Sequence, residues 1–169
     1  MEKFKKDDVV ELIKEIMDKG ACLRFRTTVG ASMHPFIRDG DILWVKPVNA
    51  SEIKIGDVIF YRNSNGGITV HRLIKKISKN GKLSFLTKGD SVSGVDEIIY
   101  PEQVQGKVIT IEHNKWRIRI DRGPGRIVGF LWARISMFSP WVYYPFRKIK
   151  RLFLKIKVSL KRTCAKKIC

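Results

Sequence analysis

The chain has 169 residues, a hydrophobic content of 44% and a formal net charge of +18. That length admits one core domain and a small appendage but hardly two full domains, and the apolar content excludes wholesale disorder. Charge is unevenly spread. Residues 1–114 hold 18 basic and 15 acidic side chains, whereas residues 115–169 hold 16 basic side chains and the single acid Asp121, so the excess belongs to a tail.

The first residues, Met1-Glu2-Lys3-Phe4-Lys5-Lys6-Asp7-Asp8, contain no apolar run, so neither a secretory signal nor a transmembrane helix is expected there. Asp7 to Lys19 reads as a short amphipathic helix. Val9, Val10, Leu12, Ile13, Ile16 and Met17 recur at three- and four-residue spacing, and Gly20 closes the segment. From Cys22 to Glu112 short β-prone runs alternate with turn signals: Leu23–Val29, Ile42–Lys46, Val58–Tyr61, Ile68–Ile74, Leu83–Leu86 and Val104–Ile111, with Asn65-Gly66-Gly67 and Asn80-Gly81 as hairpin turns. Many short strands and little helix predict a mainly β, antiparallel domain of barrel or sandwich type.

After the boundary signal Asp121–Gly125 the composition changes. Residues 127–146 are rich in large apolar and aromatic side chains, and residues 147–167 hold ten Lys or Arg and no acid. This part is expected to be helical, with interruptions near Pro140 and Pro145. Arg134 in mid-segment and the two prolines favour an interfacial or re-entrant segment over a clean bilayer span. The cations that follow suit an anionic lipid surface. Nucleic acid is the weaker reading of the tail, because its cations alternate with aliphatics and form no recognisable DNA-binding motif. Cys22, Cys164 and Cys169 give neither an even disulfide framework nor a metal-ligand spacing. They read as free thiols or packing residues, and no metal or cofactor is expected.

Three places carry chemistry. Ser32 sits in Gly30-Ala31-Ser32-Met33-His34-Pro35, where small residues before it would let a substrate backbone approach. His71, in Thr69-Val70-His71-Arg72-Leu73, is a residue type able to take a proton from a serine hydroxyl near neutral pH. Asp90, in Lys88-Gly89-Asp90-Ser91, and Asp96 are acids that can fix a histidine tautomer, although each alone is also ordinary turn chemistry.

Taken together, Ser32-Met33-x-Pro35, Gly40-Asp41, Gly56-Asp57-Val58, Val70-His71-Arg72, Lys88-Gly89-Asp90 with Asp96, and Gly106-Lys107-Val108 are similar in order and spacing to signal peptidase I. The resemblance covers about Thr28 to Ile111. It is closer to the branch that uses a histidine base, as in the endoplasmic reticulum and archaea, than to the lysine branch, which is shared with LexA-like repressors. What it implies is a signal-peptidase/LexA-like β domain acting as a serine endopeptidase. Ser32 would be the nucleophile, His71 the base, Asp96 the acid orienting His71, and Asp90 a second acid of the site. It further implies a precursor bound as an extended strand and cut after small residues held in shallow pockets. In much of that family a hydroxyl two positions before the nucleophile assists the oxyanion; here that position is Gly30. The alternatives are a LexA-like self-cleaving regulator, which His71 and the lack of a DNA-binding region disfavour, and a non-catalytic binding module that retains the fold. The expected organisation is an N-terminal helix (1–20), a catalytic β domain (21–114) and a basic, aromatic-rich segment (115–169). That last segment is expected to attach the protein to the membrane, the plasma membrane in particular.

Overall fold

Apolar side chains at helical spacing begin the fold. A computed structural model of the protein describes residues 6–27, 30–92, 94 and 97–136. By its contacts the chain divides into Met1–Ser136 and Met137–Cys169, and the second unit lies outside the described residues, as does the expected basic run within it. Helix α1 (Lys6–Asp18) is the predicted amphipathic segment. Val10 and Met17 are buried on its inner side, while Leu12 faces solvent.

Eight strands follow among the described residues: β1 (Leu23–Arg26), β2 (Ile42–Lys46), β3 (Val58–Arg62), β4 (Ile68–Lys79), β5 (Lys82–Lys88), β6 (Ile98–Ile99), β7 (Val104–His113) and β8 (Trp116–Arg119). They form one antiparallel sheet in the order β1-β2-β7-β3-β4-β5-β6, with β8 added to β7. A second helix, α2 (Gly123–Ser136), closes the described chain. The mainly β architecture with a short N-terminal helix is therefore the one expected from the turn-punctuated runs. The strand runs β6 and β8 were not expected; β6 has only two residues, and β8 falls in the segment assigned to the tail.

Irregularities in pairing bend the sheet. The register shifts between Trp44 and Val45, between Phe60 and Tyr61, and between Leu73 and Lys75, and such bulges increase local twist and curvature. Strand β4 consequently serves two partners. Residues 68–72 pair with β3, and residues from Arg72 onward pair with β5.

Strand β3 is buried on both faces, which explains why Val58-Ile59-Phe60-Tyr61 is a continuous apolar run rather than an alternating one. Successive side chains point to opposite sides. Val58 and Phe60 join a core cluster with Met17, Met33, Ile37 and Leu43, whereas Ile59 and Tyr61 join a second cluster with Ile53, Leu73 and Phe85.

Helix α2 crosses the turn before β3 at very short range. Gly56 has a φ of +92°, and a Cβ there would lie 2.7 Å from the Phe130 backbone. Only glycine combines that conformation with that approach. The edge of α2 is completed by Trp132 against Phe36, with ring centroids 5.1 Å apart.

Candidate active site

The turn bearing Ser32 is anchored from below. Ala31–Met33 form a single 3-10 turn, and Met33 and Ile37 on either side of His34-Pro35 sink into the first core cluster. From above, the segment following β5 locks onto it. Ser91 N–H donates to the Ser32 carbonyl at 2.8 Å, and the Ser91 hydroxyl donates to the Ala31 carbonyl. Gly89 packs against the turn so closely that a Cβ would lie 2.8 Å from Ser32 O and 3.0 Å from Ser32 Cβ. The Gly89 position therefore sets the height of the serine.

His71 is placed by strand pairing. It lies opposite Ile59 in the β3–β4 register, which puts Tyr61 diagonal to it on the same face. Its Nε2 is 3.0 Å from Ser32 Oγ. Its Nδ1 is 3.4 Å from the Tyr61 hydroxyl, which in turn is 3.2 Å from Thr87 Oγ1. Tyr61 and Thr87 are buried. A proton on Nδ1 donated toward Tyr61, with Tyr61 O–H donating to Thr87, leaves the Nε2 lone pair facing the serine hydroxyl. That is the tautomer a general base requires.

The acids divide. Asp90 is engaged by Arg72. It is buried and accepts two hydrogen bonds from Arg72, Nε at 2.8 Å and Nη2 at 2.7 Å. Arg72 also donates to Gly56 O at 2.9 Å and stacks over Phe36 at 5.1 Å. Burial pushes the Asp90 carboxyl above the usual carboxylate range, against the pull of Arg72, Lys88 and His71. Lys88, also buried, donates to the Gly89 carbonyl at 3.3 Å. Asp96 lies outside the described residues. Asp41 and Asp57, from the two other Gly-Asp pairs, hold loops: Asp41 accepts from Arg38 N–H and Asp57 from Lys54 N–H. Gly30 N–H donates to Asp39 Oδ1 at 3.2 Å.

Sequence reasoning passed over Tyr61, Thr87 and Arg72 in their relation to these groups. Arg72 had a signal, since it follows His71 directly and must therefore point to the opposite face of β4. Tyr61 had none, because a diagonal neighbour depends on a register that spacing alone does not reveal. Among the described residues, no group of three or more His, Cys, Asp or Glu is arranged to hold a metal ion. Cys22 is a free, exposed thiol.

A cleft of about 790 Å³ opens beside Ser32 and His71. Ser32 within hydrogen-bond distance of His71, both lining an open cleft, is an arrangement able to perform acyl transfer.

A family model described as Peptidase S24-like matches residues 1–109. Among curated proteins, the chain is similar to the signal peptidase complex catalytic subunit SEC11 of Colletotrichum graminicola, 32% identical over 74 residues, which is 43% of each chain. It is also similar to the signal peptidase complex catalytic subunit SEC11C of Homo sapiens, 34% identical over 76 residues, or 44% of this chain and 40% of that one. The chain thus matches less than half the length of these relatives.

The division of labour among the acids is open to measurement. Asp90→Ala should lower stability by about 3–5 kcal/mol in urea unfolding, because it leaves the Arg72 charge buried and unpaired. The double replacement Arg72→Met/Asp90→Leu should recover much of that loss. An Asp90→Ala variant of unchanged stability would remove Asp90 from the structural role assigned to it.

Proposed function

This chain belongs to the Peptidase S24-like family, and on that premise we propose that it is a serine endopeptidase of signal-peptidase type, cutting a precursor protein through an acyl-enzyme. The observation that carries the reading is the 3.0 Å separation of Ser32 Oγ and His71 Nε2 on a clamped turn. Ser32 attacks the scissile carbonyl while His71 takes its proton. The tetrahedral intermediate collapses as His71 donates that proton to the leaving amine, and water then hydrolyses the ester with His71 again as base. The Ser32 backbone N–H serves the oxyanion. Gly30 offers no hydroxyl there, so any further donor is a different group. Asp96 remains the acid proposed to act on His71, and Tyr61 supports the same ring nitrogen from the sheet.

The precursor binds as an added strand. Among the described residues, positions 68–70 of β4 pair only with β3, and β1 pairs only with β2. Both edges therefore present backbone groups next to the cleft for an extended segment.

Attachment to an anionic membrane is the second half of the proposal. No helix among the described residues is long and apolar enough to cross a membrane. Helix α2 nevertheless exposes Ile127, Val128, Phe130, Leu131 and Ile135, with Arg126 and Arg134 beside them. An apolar face flanked by cations is suited to lie in a lipid interface, and the cations beyond Ser136 add electrostatic attraction.

Two experiments test these halves. Ser32→Ala and His71→Ala should each lower cleavage of a signal-peptide precursor by about 10⁴-fold or more without altering the fold; cleavage at the parent rate in either variant would end the assignment. Ile127→Asp/Leu131→Asp should reduce co-sedimentation with phosphatidylserine-containing vesicles at least about tenfold, as two apolar anchors are lost. Equal sedimentation of parent and variant would remove α2 from the membrane contact.

A further inference from the structure

The cleft extends well beyond the reacting atoms. Its volume of about 790 Å³ falls inside the range of roughly 300–1,000 Å³ that holds whole small ligands. A lone small side chain leaves most of that space empty. The walls come from three elements: Leu23 and Phe25 on β1, Ile68 and Val70 on β4, and Val9 and Ile13 on α1. Met33, Leu43 and Phe60 of the core underlie them. Arg26 and His71 are the titratable side chains among the described lining.

Helix α1 is anchored by two buried side chains, Met17 outside the cleft lining and Val10 within it. Met17 is 3% exposed within the first core cluster and Val10 is 6% exposed. Val9 is 43% exposed although it lines the cleft, whereas Leu12, 54% exposed, lies outside the lining. The helix thus presents an unfilled apolar surface toward the space next to the serine. A segment added between the β1 and β4 edges would place alternate side chains into that space, because strand side chains have a period of two.

We infer that α1 is a wall of the substrate site, and that the cleft selects a precursor segment carrying a large aliphatic side chain near the scissile bond. This rests on the peptidase reading above and extends it. Selection by small side chains in shallow pockets, the expectation from family resemblance, describes only the part of the site nearest Ser32. The rest is a mostly apolar chamber, open to solvent, one wall of which is a helix that precedes the β domain in the chain.

The test uses the full chain carrying Ser32→Ala and fluorescein-labelled, alanine-based peptides in which leucine replaces one residue at a time, with binding read by fluorescence anisotropy. At one or more positions leucine should tighten binding about tenfold or more, the range that added methylenes reach in a fitted apolar pocket. Val9→Trp, which fills the chamber, should abolish that gain, and Val9→Asp, which charges its wall, should do the same. Leu12→Trp, on the outer side of α1, should preserve it. Thermal melting checks that each variant is folded. The inference is overturned if no peptide binds, if no leucine position gains affinity, or if the gain survives both Val9 variants. The peptide series with the parent chain separates this idea from the one beneath it. Cleavage without any leucine preference would overturn the chamber and leave the peptidase standing; leucine-selective binding without cleavage would do the reverse.

Discussion

The buried ion pair of Arg72 and Asp90 holds the site's parts in register. Arg72 reaches from β4 to Asp90 beyond β5, to the Gly56 carbonyl before β3, and to the ring of Phe36 after the serine turn. Three separate loops therefore meet on one guanidinium. Its planar fork satisfies both oxygens of a carboxylate that is only 1% exposed, a geometry for which lysine has no equivalent. A buried charge pair is a poor source of net stability, yet breaking one is severe. The pair consequently acts to specify an arrangement: with Asp90 fixed, Gly89 and Ser91 are fixed on the serine turn, and with Arg72 fixed, His71 on the reverse face of the same strand has its place.

That arrangement explains why the motifs cluster where they do. Lys88-Gly89-Asp90-Ser91 looks like a turn with an acid in it, but each member meets a different demand. Gly89 gives room to Ser32, Asp90 holds Arg72, and Ser91 ties the backbone at Ala31 and Ser32. Gly56-Asp57 combines close passage of α2 with capping of its own turn. The proposed chemistry draws on Ser32 and His71, while their placement draws on three loops.

Much of this was legible in the sequence, and the rest was hidden for physical reasons. Strand β2 runs from Ile42 to Lys46, as its apolar run and flanking Asp-Gly-Asp signal predict, and α1 lies within a residue of its expected ends. Strand β4 is longer than expected, since its polar second half, Lys75 to Lys79, is held by pairing with β5 across a bulge and not by its own pattern. Strand β8 was hidden because Trp116 and Ile118 are exposed and its cations match the tail's composition. Asp90 was expected as a second acid of the site, and the structure pairs it with Arg72. That partner was not expected, because an acid beside a glycine reads the same whether it will meet histidine or arginine. Helix α1 was legible as an amphipathic segment, and only its packing reveals that Val9 and Ile13 border the cleft.

The proposed activity requires a serine made nucleophilic by a particular histidine. The most direct measurement is reaction of the intact chain with a fluorophosphonate, with the modified residue located by peptide mass spectrometry and the rate compared with His71→Ala. A single adduct on Ser32, formed about 100-fold or more slowly without the imidazole, is the predicted result. An unmodified Ser32, or an adduct forming equally fast in His71→Ala, would contradict it.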